Sequence, residues 1–213
     1  MNRAKINILW CSALLCGTIL TAYGGDTSQD KPPVPDAISG IYLSMSISDF
    51  VKMRPQAKPD AMTEATIDVT KPRHMLYERI NKGLYNYLAT YSFQNKRLDE
   101  IQIAGVYSGS QTDKKKQEFI RQVIQLYGAP TSIKVAQVYE TDVVNDPELL
   151  WVKPGYKVAA LYSTDPNLAK KHVIQLIITS KEGKIYFDEP AISTSEKDKI
   201  IKDAEDEIRK IAN

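Results

Sequence analysis

The chain has 213 residues, with 28 Lys and Arg against 26 Asp and Glu, two His and two Cys. Both cysteines, Cys11 and Cys16, sit in an N-terminal apolar run, so the body of the chain can form no disulfide, thiolate metal site or Cys nucleophile. The near balance of charge lacks the basic excess with which nucleic-acid binders displace phosphate counterions.

Arg3 and Lys5 precede the apolar run Ile6 to Ala22, and Gly24-Gly25 follow it. A short positive end, a greasy segment and small residues form the pattern of a secretory signal. Residues 1–24 are therefore expected to be a signal peptide or membrane anchor, and the rest of the chain to work in the periplasm or another extracytoplasmic space. Three fates fit this segment: cleavage after Ala22-Tyr23-Gly24, retention as an anchor, or lipidation at Cys16. The leucines of Ala13-Leu14-Leu15 stand where lipoprotein signals carry small residues. Cleavage would remove Arg3 and Lys5, leaving 26 basic residues to balance the 26 acidic ones. Residues 25–37, with Pro32, Pro33 and Pro35 among polar neighbours, read as a disordered linker.

The remaining residues are enough to bury a core without disulfide or metal support. Ser46 to Met53 reads as a first helix, with Ser46 as cap, Phe50, Val51 and Met53 facing inward and Pro55 as the stop. Met75 to Ile80 and Leu84 to Phe93 read as strands, the second placing Tyr85, Tyr87, Ala89, Tyr91 and Phe93 on one face. Gln94 to Arg97 is turn chemistry, and Leu98 to Tyr107 returns as the other half of a hairpin. Asp113 to Tyr127 is an amphipathic helix ended by Gly128-Ala129-Pro130. Strands are then expected at Ile133 to Glu140, Leu149 to Val152, Tyr156 to Ser163, Val173 to Thr179 and Lys184 to Phe187. Ser195 to Ile211 closes the chain as a helix with an apolar stripe and charges paired at i,i+4 spacing, read as docked on its own domain or as a partner-binding helix.

The expected fold is α+β: two helix-plus-antiparallel-meander repeats, residues 38–110 and 111–190, packed together as one sheet or two abutting ones, with residues 191–213 as the C-terminal helix. Short connections between strands exclude parallel crossovers.

Leu43-Ser44-Met45-Ser46, Asp49-Phe50-Val51 and Pro55 give the chain a resemblance to small exported bacterial proteins of the SmpA/OmlA type, which open on a Gly-Met-Ser/Thr turn, a short Val-bearing helix and a Gly-x-Pro stop. The tandem layout is also similar to that of the beta-lactamase inhibitor protein. Ser44 replaces the usual Gly and Arg54-Pro55 the first stop, while Gly128-Ala129-Pro130 keeps the Gly-x-Pro form. The resemblance implies an envelope protein that binds another protein, in assembly or in inhibition.

Sites of chemistry are few. His74 and His172, each beside cationic neighbours in expected loop or strand-edge settings, are the only near-neutral bases. No Gly-x-Ser-x-Gly elbow, phosphate loop or dinucleotide fingerprint occurs. Asp142, Asn145, Asp146 and Glu148 are rich in oxygen but lack calcium-loop spacing, and read as a solvated loop. Asp99 and Glu100, as strand neighbours, point to opposite faces. No cofactor or metal is expected. Trp151, Tyr156, Tyr85, Tyr87 and Tyr91 are the candidate binding residues, because Trp and Tyr offer wide contact at little entropic cost; for the tyrosines and Trp151 a core role is the competing reading.

The functional expectation is a non-enzymatic, exported envelope protein that binds another protein. It would touch no nucleic acid, and would meet the membrane only through an uncleaved N-terminal segment. A periplasmic small-ligand or lipid binder, or a hydrolase with an unrecognised site, are the alternatives.

Overall fold

Ser46 begins the first helix, α1 (Ile47–Met53), by accepting the Asp49 backbone N–H on its hydroxyl at 3.1 Å. The same hydroxyl reaches Asp49 Oδ2 at 2.7 Å, which together with Lys52 holds the Asp49 carboxyl below its ordinary range. The protein is seen in a computed structural model that describes residues 31–59, 73–108, 112–137, 145–165, 171–180 and 192–212. After α1 come β1 (Arg73–Arg79), β2 (Leu88–Gln94), β3 (Arg97–Ser108), α2 (Thr112–Tyr127), β4 (Ser132–Gln137), β5 (Asn145–Lys153), β6 (Tyr156–Asp165), β7 (Lys171–Ser180) and α3 (Thr194–Ala212). Asn95 and Lys96 join β2 to β3 with φ of 51° and 64°, the two left-handed residues that a tight right-twisting hairpin requires. Gly128 ends α2 at φ 78°.

The strands form one seven-stranded sheet in the order β1-β2-β3-β7-β6-β5-β4, with every neighbouring pair antiparallel. The last strands of the two meanders, β3 and β7, meet at its centre. Register places Leu76, Tyr91, Ile101, Ile178, Val158 and Trp151 in one row across six strands, each 1% exposed or less. Ala89, Ile103, Leu176, Ala160 and Leu149 form the next row. Each large apolar side chain buried this way contributes about 1.5–3 kcal/mol.

All three helices lie on the face that carries these rows. Phe50 of α1 sets its ring centre 4.6 Å from that of Tyr91, tilted, and 5.1 Å from that of Phe93, edge to face. The Tyr85 hydroxyl donates to Gln122 of α2 at 3.0 Å, and the Trp151 indole N–H donates to the Gly128 carbonyl at 2.9 Å. On α3, Glu207 accepts from Tyr162 of β6 at 3.4 Å and from Lys116 of α2 at 2.8 Å. The terminal helix is thus docked on its own domain.

Several sequence expectations shift. The second strand starts at Leu88 instead of Leu84. Tyr85 sits in an isolated bridge with Lys82, and Tyr87 is 51% exposed, off the face it was expected to share. Met53 points outward. β5 reaches back to Asn145, so Asn145 to Glu148 are strand and not solvated loop. Pro147 is tolerated because β5 pairs there only with β4. His74 lies inside β1 and is buried, with Nε2 lacking a hydrogen-bond partner. Of the expected linker, residues 31–37 are described and they pack: Pro32 and Pro35 are buried, Asp36–Ile38 form a 3-10 turn, and the Tyr127 hydroxyl donates to Pro33 O at 2.7 Å. The leader, the expected strand Lys184 to Phe187 and Asp142 lie outside the described residues.

Arg54 locks that N-terminal segment to the sheet. Its guanidinium donates to Ala37 O at 2.9 Å and reaches Glu78 at 3.5 Å, while Glu78 also accepts the Tyr91 hydroxyl at 3.2 Å. The pair is mostly shielded from water, so Arg54→Ala leaves Glu78 without its cation. A loss of roughly 1–3 kcal/mol in the denaturant-unfolding free energy is expected, with Arg54→Lys recovering part of it.

Candidate functional site

The opposite face of the sheet bears no helix among the described residues, and alternation decides what it presents. One row runs Tyr77, Thr90, Gln102, Ile177, Ala159, Leu150 and Ser132 from edge to edge. Beside it lie Leu88, Ala104, Gln175, Leu161, Glu148 and Lys134 on one side, and Met75, Ser92, Glu100, Thr179, Lys157 and Val152 on the other. The middle of this face, Ala159, Leu161, Ile177 and Thr179, is buried, while Gln102, Gln175 and Leu150 stay partly exposed. Met75 and Val152, each 48% exposed, are two of the four large hydrophobic side chains most open to water among the described residues.

Polar groups on this face are tied to one another. Gln102 donates its amide to Glu100 at 2.9 Å and accepts from Gln175 at 3.5 Å, and the Thr179 hydroxyl donates to Asp99 O at 3.4 Å. A β-bulge makes the last contact possible. Ser92 pairs with Glu100 and Phe93 with Leu98, so Asp99 is the extra residue, and Leu98 and Ile101 both point into the core. Burial raises the Glu100 carboxyl above its ordinary range, against the hydrogen bond from Gln102.

Glu148 is the most perturbed carboxylate described. It is 5% exposed, lies between Leu161 and Lys134 in register, and is pushed up to about 7 by burial, with Lys134 opposing the shift. The sign follows: the folded state holds this proton through the range from the ordinary carboxylate pKa to about 7, where the unfolded chain has released it. Glu148 therefore costs stability as pH rises through that window. Glu148→Gln is expected to stabilise the protein at pH 8, on the order of 1–2 kcal/mol given the exposed Lys134 nearby, and to leave melting at pH 4 unchanged.

The five expected binding residues do not assemble here. Trp151, Tyr85 and Tyr91 are core residues with at most 1% exposure, so they offer nothing to a partner. Tyr156 packs against the core at the start of β6. Tyr87 alone is open, and it lies beyond the row Leu88, Ala104, Gln175, Leu161, at the far end of the sheet from Tyr156. The two histidines are also apart: His74 is registered with Phe93 near the start of β3, His172 with Tyr107 at its end.

No family model, curated protein or solved structure matches this chain. Its candidate site therefore stands on geometry. The residues that build the helix-free face, above all Gln102, Gln175, Leu150, Met75 and Val152, were passed over because strand alternation assigns two faces without saying which one the helices cover. The signal was present in β3, where the large apolar Ile101 and Ile103 alternate with polar Gln102 and small Ala104.

Proposed function

We propose that this is an exported, non-enzymatic protein-binding module that engages another envelope protein through the helix-free face of its sheet. One observation carries the reading: the three described helices crowd one side of a seven-stranded sheet, while the other keeps Met75 and Val152 exposed and Gln102, Gln175 and Leu150 partly exposed. Such a mixture of open apolar and amide side chains suits contact with a folded partner. The leader directs the chain through the secretion machinery, and its charge pattern and small residues support that address. The two meanders are read as copies of one helix-plus-meander unit. In support, α1 precedes β1 to β3 as α2 precedes β4 to β7, and the final strands pair antiparallel at the centre, as a two-fold relation demands. The space between sheet and helices, where a lipid binder would need its cavity, is filled by side chains such as Trp151, Phe119 and Ile103. The separated histidines weigh against a hydrolase.

A photo-crosslinking residue at Gln102 or Gln175, both partly exposed, tests the reading in intact cells, with exposed Lys199 of α3 as control. Discrete heavier adducts from the sheet positions and none from the control are expected. Absence of adducts, together with a lipid or small molecule that co-purifies, overturns it. Mass spectrometry of the mature N-terminus decides between cleavage at Gly24, retention and lipidation at Cys16.

A further inference from the structure

We propose that Glu148 and Lys134 form a pH-operated switch in the sheet: in one state the Glu148 carboxyl is neutral and buried, and in the other it is ionised and drawn into an ion pair with the Lys134 ammonium. The two residues stand directly opposite each other across the β4–β5 ladder, on the side that carries no described helix. Glu148 is buried beside Leu161 of β6, which is buried as well. Its carboxyl has no hydrogen-bond partner among the described residues, and Lys134 is the one charge there that acts on it. Lys134 itself is exposed and holds no ion pair among the described residues.

An ionised carboxylate cannot remain alone in that setting, because burying a charge without a partner costs far more than burying the neutral acid. Burial accordingly pushes the Glu148 carboxyl up to about 7, against the pull of Lys134. Below that pH the proton stays on Glu148 and the Lys134 ammonium stays in water. Above it the new charge requires a counter-ion within reach. Directly opposed residues of an antiparallel pair have Cβ atoms about 5 Å apart, so rotation of the Lys134 side chain alone carries Nζ to the carboxylate and leaves the ladder intact.

The neighbouring charges do not compete for this role. On β5, Asp146 has an interaction of its own and bears the wrong sign to neutralise Glu148. On β4, Ser132 and Ala136 flank Lys134 on the same side without charge, and on β6 the same holds of Ala159 and Ser163 beside Leu161. Lys157, the cation of β6, is in register with Val152, four residues along from Glu148, and has an interaction of its own. The switch changes what this part of the sheet presents: a free ammonium below the transition, and a closed, neutral pair above it. It belongs to the fold, so it does not rest on the proposed protein-binding role.

Brief acetylation of the full chain in non-ionic detergent with N-acetoxysuccinimide, read by mass spectrometry, provides the test. Labelling of Lys134 is taken relative to exposed Lys114 of α2, so that the general rise of amine reactivity with pH cancels. In the wild type the ratio is expected to fall roughly threefold or more between about pH 6 and about pH 8.5, because a paired ammonium gives up its proton less readily. In Glu148→Gln, which keeps the side-chain volume, it should stay level. A level ratio in the wild type overturns the proposal, and so does an equal fall in Glu148→Gln. Urea midpoints supply a second measure. The unfolded chain releases this proton near the ordinary carboxylate pKa, so the Glu148 contribution to wild-type stability falls with rising pH until about 7. Lys134→Gln takes away the counter-ion, so its decline should continue to higher pH. A Lys134→Gln profile that levels off where the wild type does overturns the proposal as well.

Discussion

Gly105→Ala is expected to cost about 3 kcal/mol of stability, far more than a single methyl usually costs in a strand. Gly105 lies toward the C-terminal end of β3 on the helix-bearing face, and the chain at Leu84 passes directly over it. A Cβ at this position would overlap the Leu84 carbonyl oxygen and stand 3.1 Å from both Ile174 Cγ1 and Tyr107 Cε2. The obstacle is backbone, which cannot swing aside as a side-chain tip can. It is also engaged, since the Tyr107 hydroxyl donates to Leu84 O, and Asn86 bonds Val106 N–H at 2.8 Å and Val106 O at 3.1 Å just beyond. Pushing Leu84 away would loosen Tyr85, whose hydroxyl tethers α2 through Gln122. Gly83→Ala makes the comparison. An added Cβ there meets open space, so only its φ of 62° opposes the change, at a cost of about 1 kcal/mol. Urea midpoints of the two variants decide it: a Gly105→Ala loss no larger than that of Gly83→Ala would mean the crossing is not as close as described.

The elements were legible wherever a local rule acted alone. Ser46 and Pro55 bound α1, Gly128-Ala129-Pro130 ended α2, and the polar run Gln94 to Arg97 turned β2 into β3, each by chemistry confined to a few residues. The misses arise where tertiary contact overrides the local signal. Tyr85 and Tyr87 extend the alternation of β2 on paper. In the fold, Tyr85 is drawn to Phe119, their ring centres 6.4 Å apart, and the strand cannot begin until Leu88. Asn145 to Glu148 have the composition of a loop yet are strand, because β4 supplies a partner that no local pattern announces. Residues 31–36 have a linker's composition and still pack, through prolines that lose little entropy on ordering and a carbonyl that satisfies buried Tyr127.

The site was less legible than the fold. Aromatic content pointed to Tyr and Trp, but in a sheet with one crowded side the largest aromatics are drawn into the core, where burying them gains most. Glu148 shows the converse. Composition placed it with Asp142 and Asp146 as solvated oxygen chemistry, while register sets it between Leu161 and Lys134, where burial raises its pKa. Which face of each strand the helices would cover depended on how β3 and β7 join the two meanders, a pairing some 70 residues apart in sequence that alternation alone could not specify.

Trp151 separates a core role from an interface role most sharply. Its ring ends the central core row, lies 5.8 Å from the ring of Tyr127, and donates its N–H to Gly128 O at the C-terminus of α2. Trp151→Ala is expected to cost about 3–5 kcal/mol, from the lost burial, the cavity and an orphaned helix-end carbonyl. That loss could by itself empty any binding assay, so Trp151→Phe carries the argument. Phenylalanine keeps most of the apolar volume and gives up the hydrogen bond, for about 1–2 kcal/mol. The folded Trp151→Phe protein should then crosslink through Gln102 as well as the wild type does, because the helix-free face is untouched. An interface anchor predicts the reverse: a melting temperature close to that of the wild type and a lost adduct. Observing that pair of results would return Trp151 to the surface and displace the site from the sheet face.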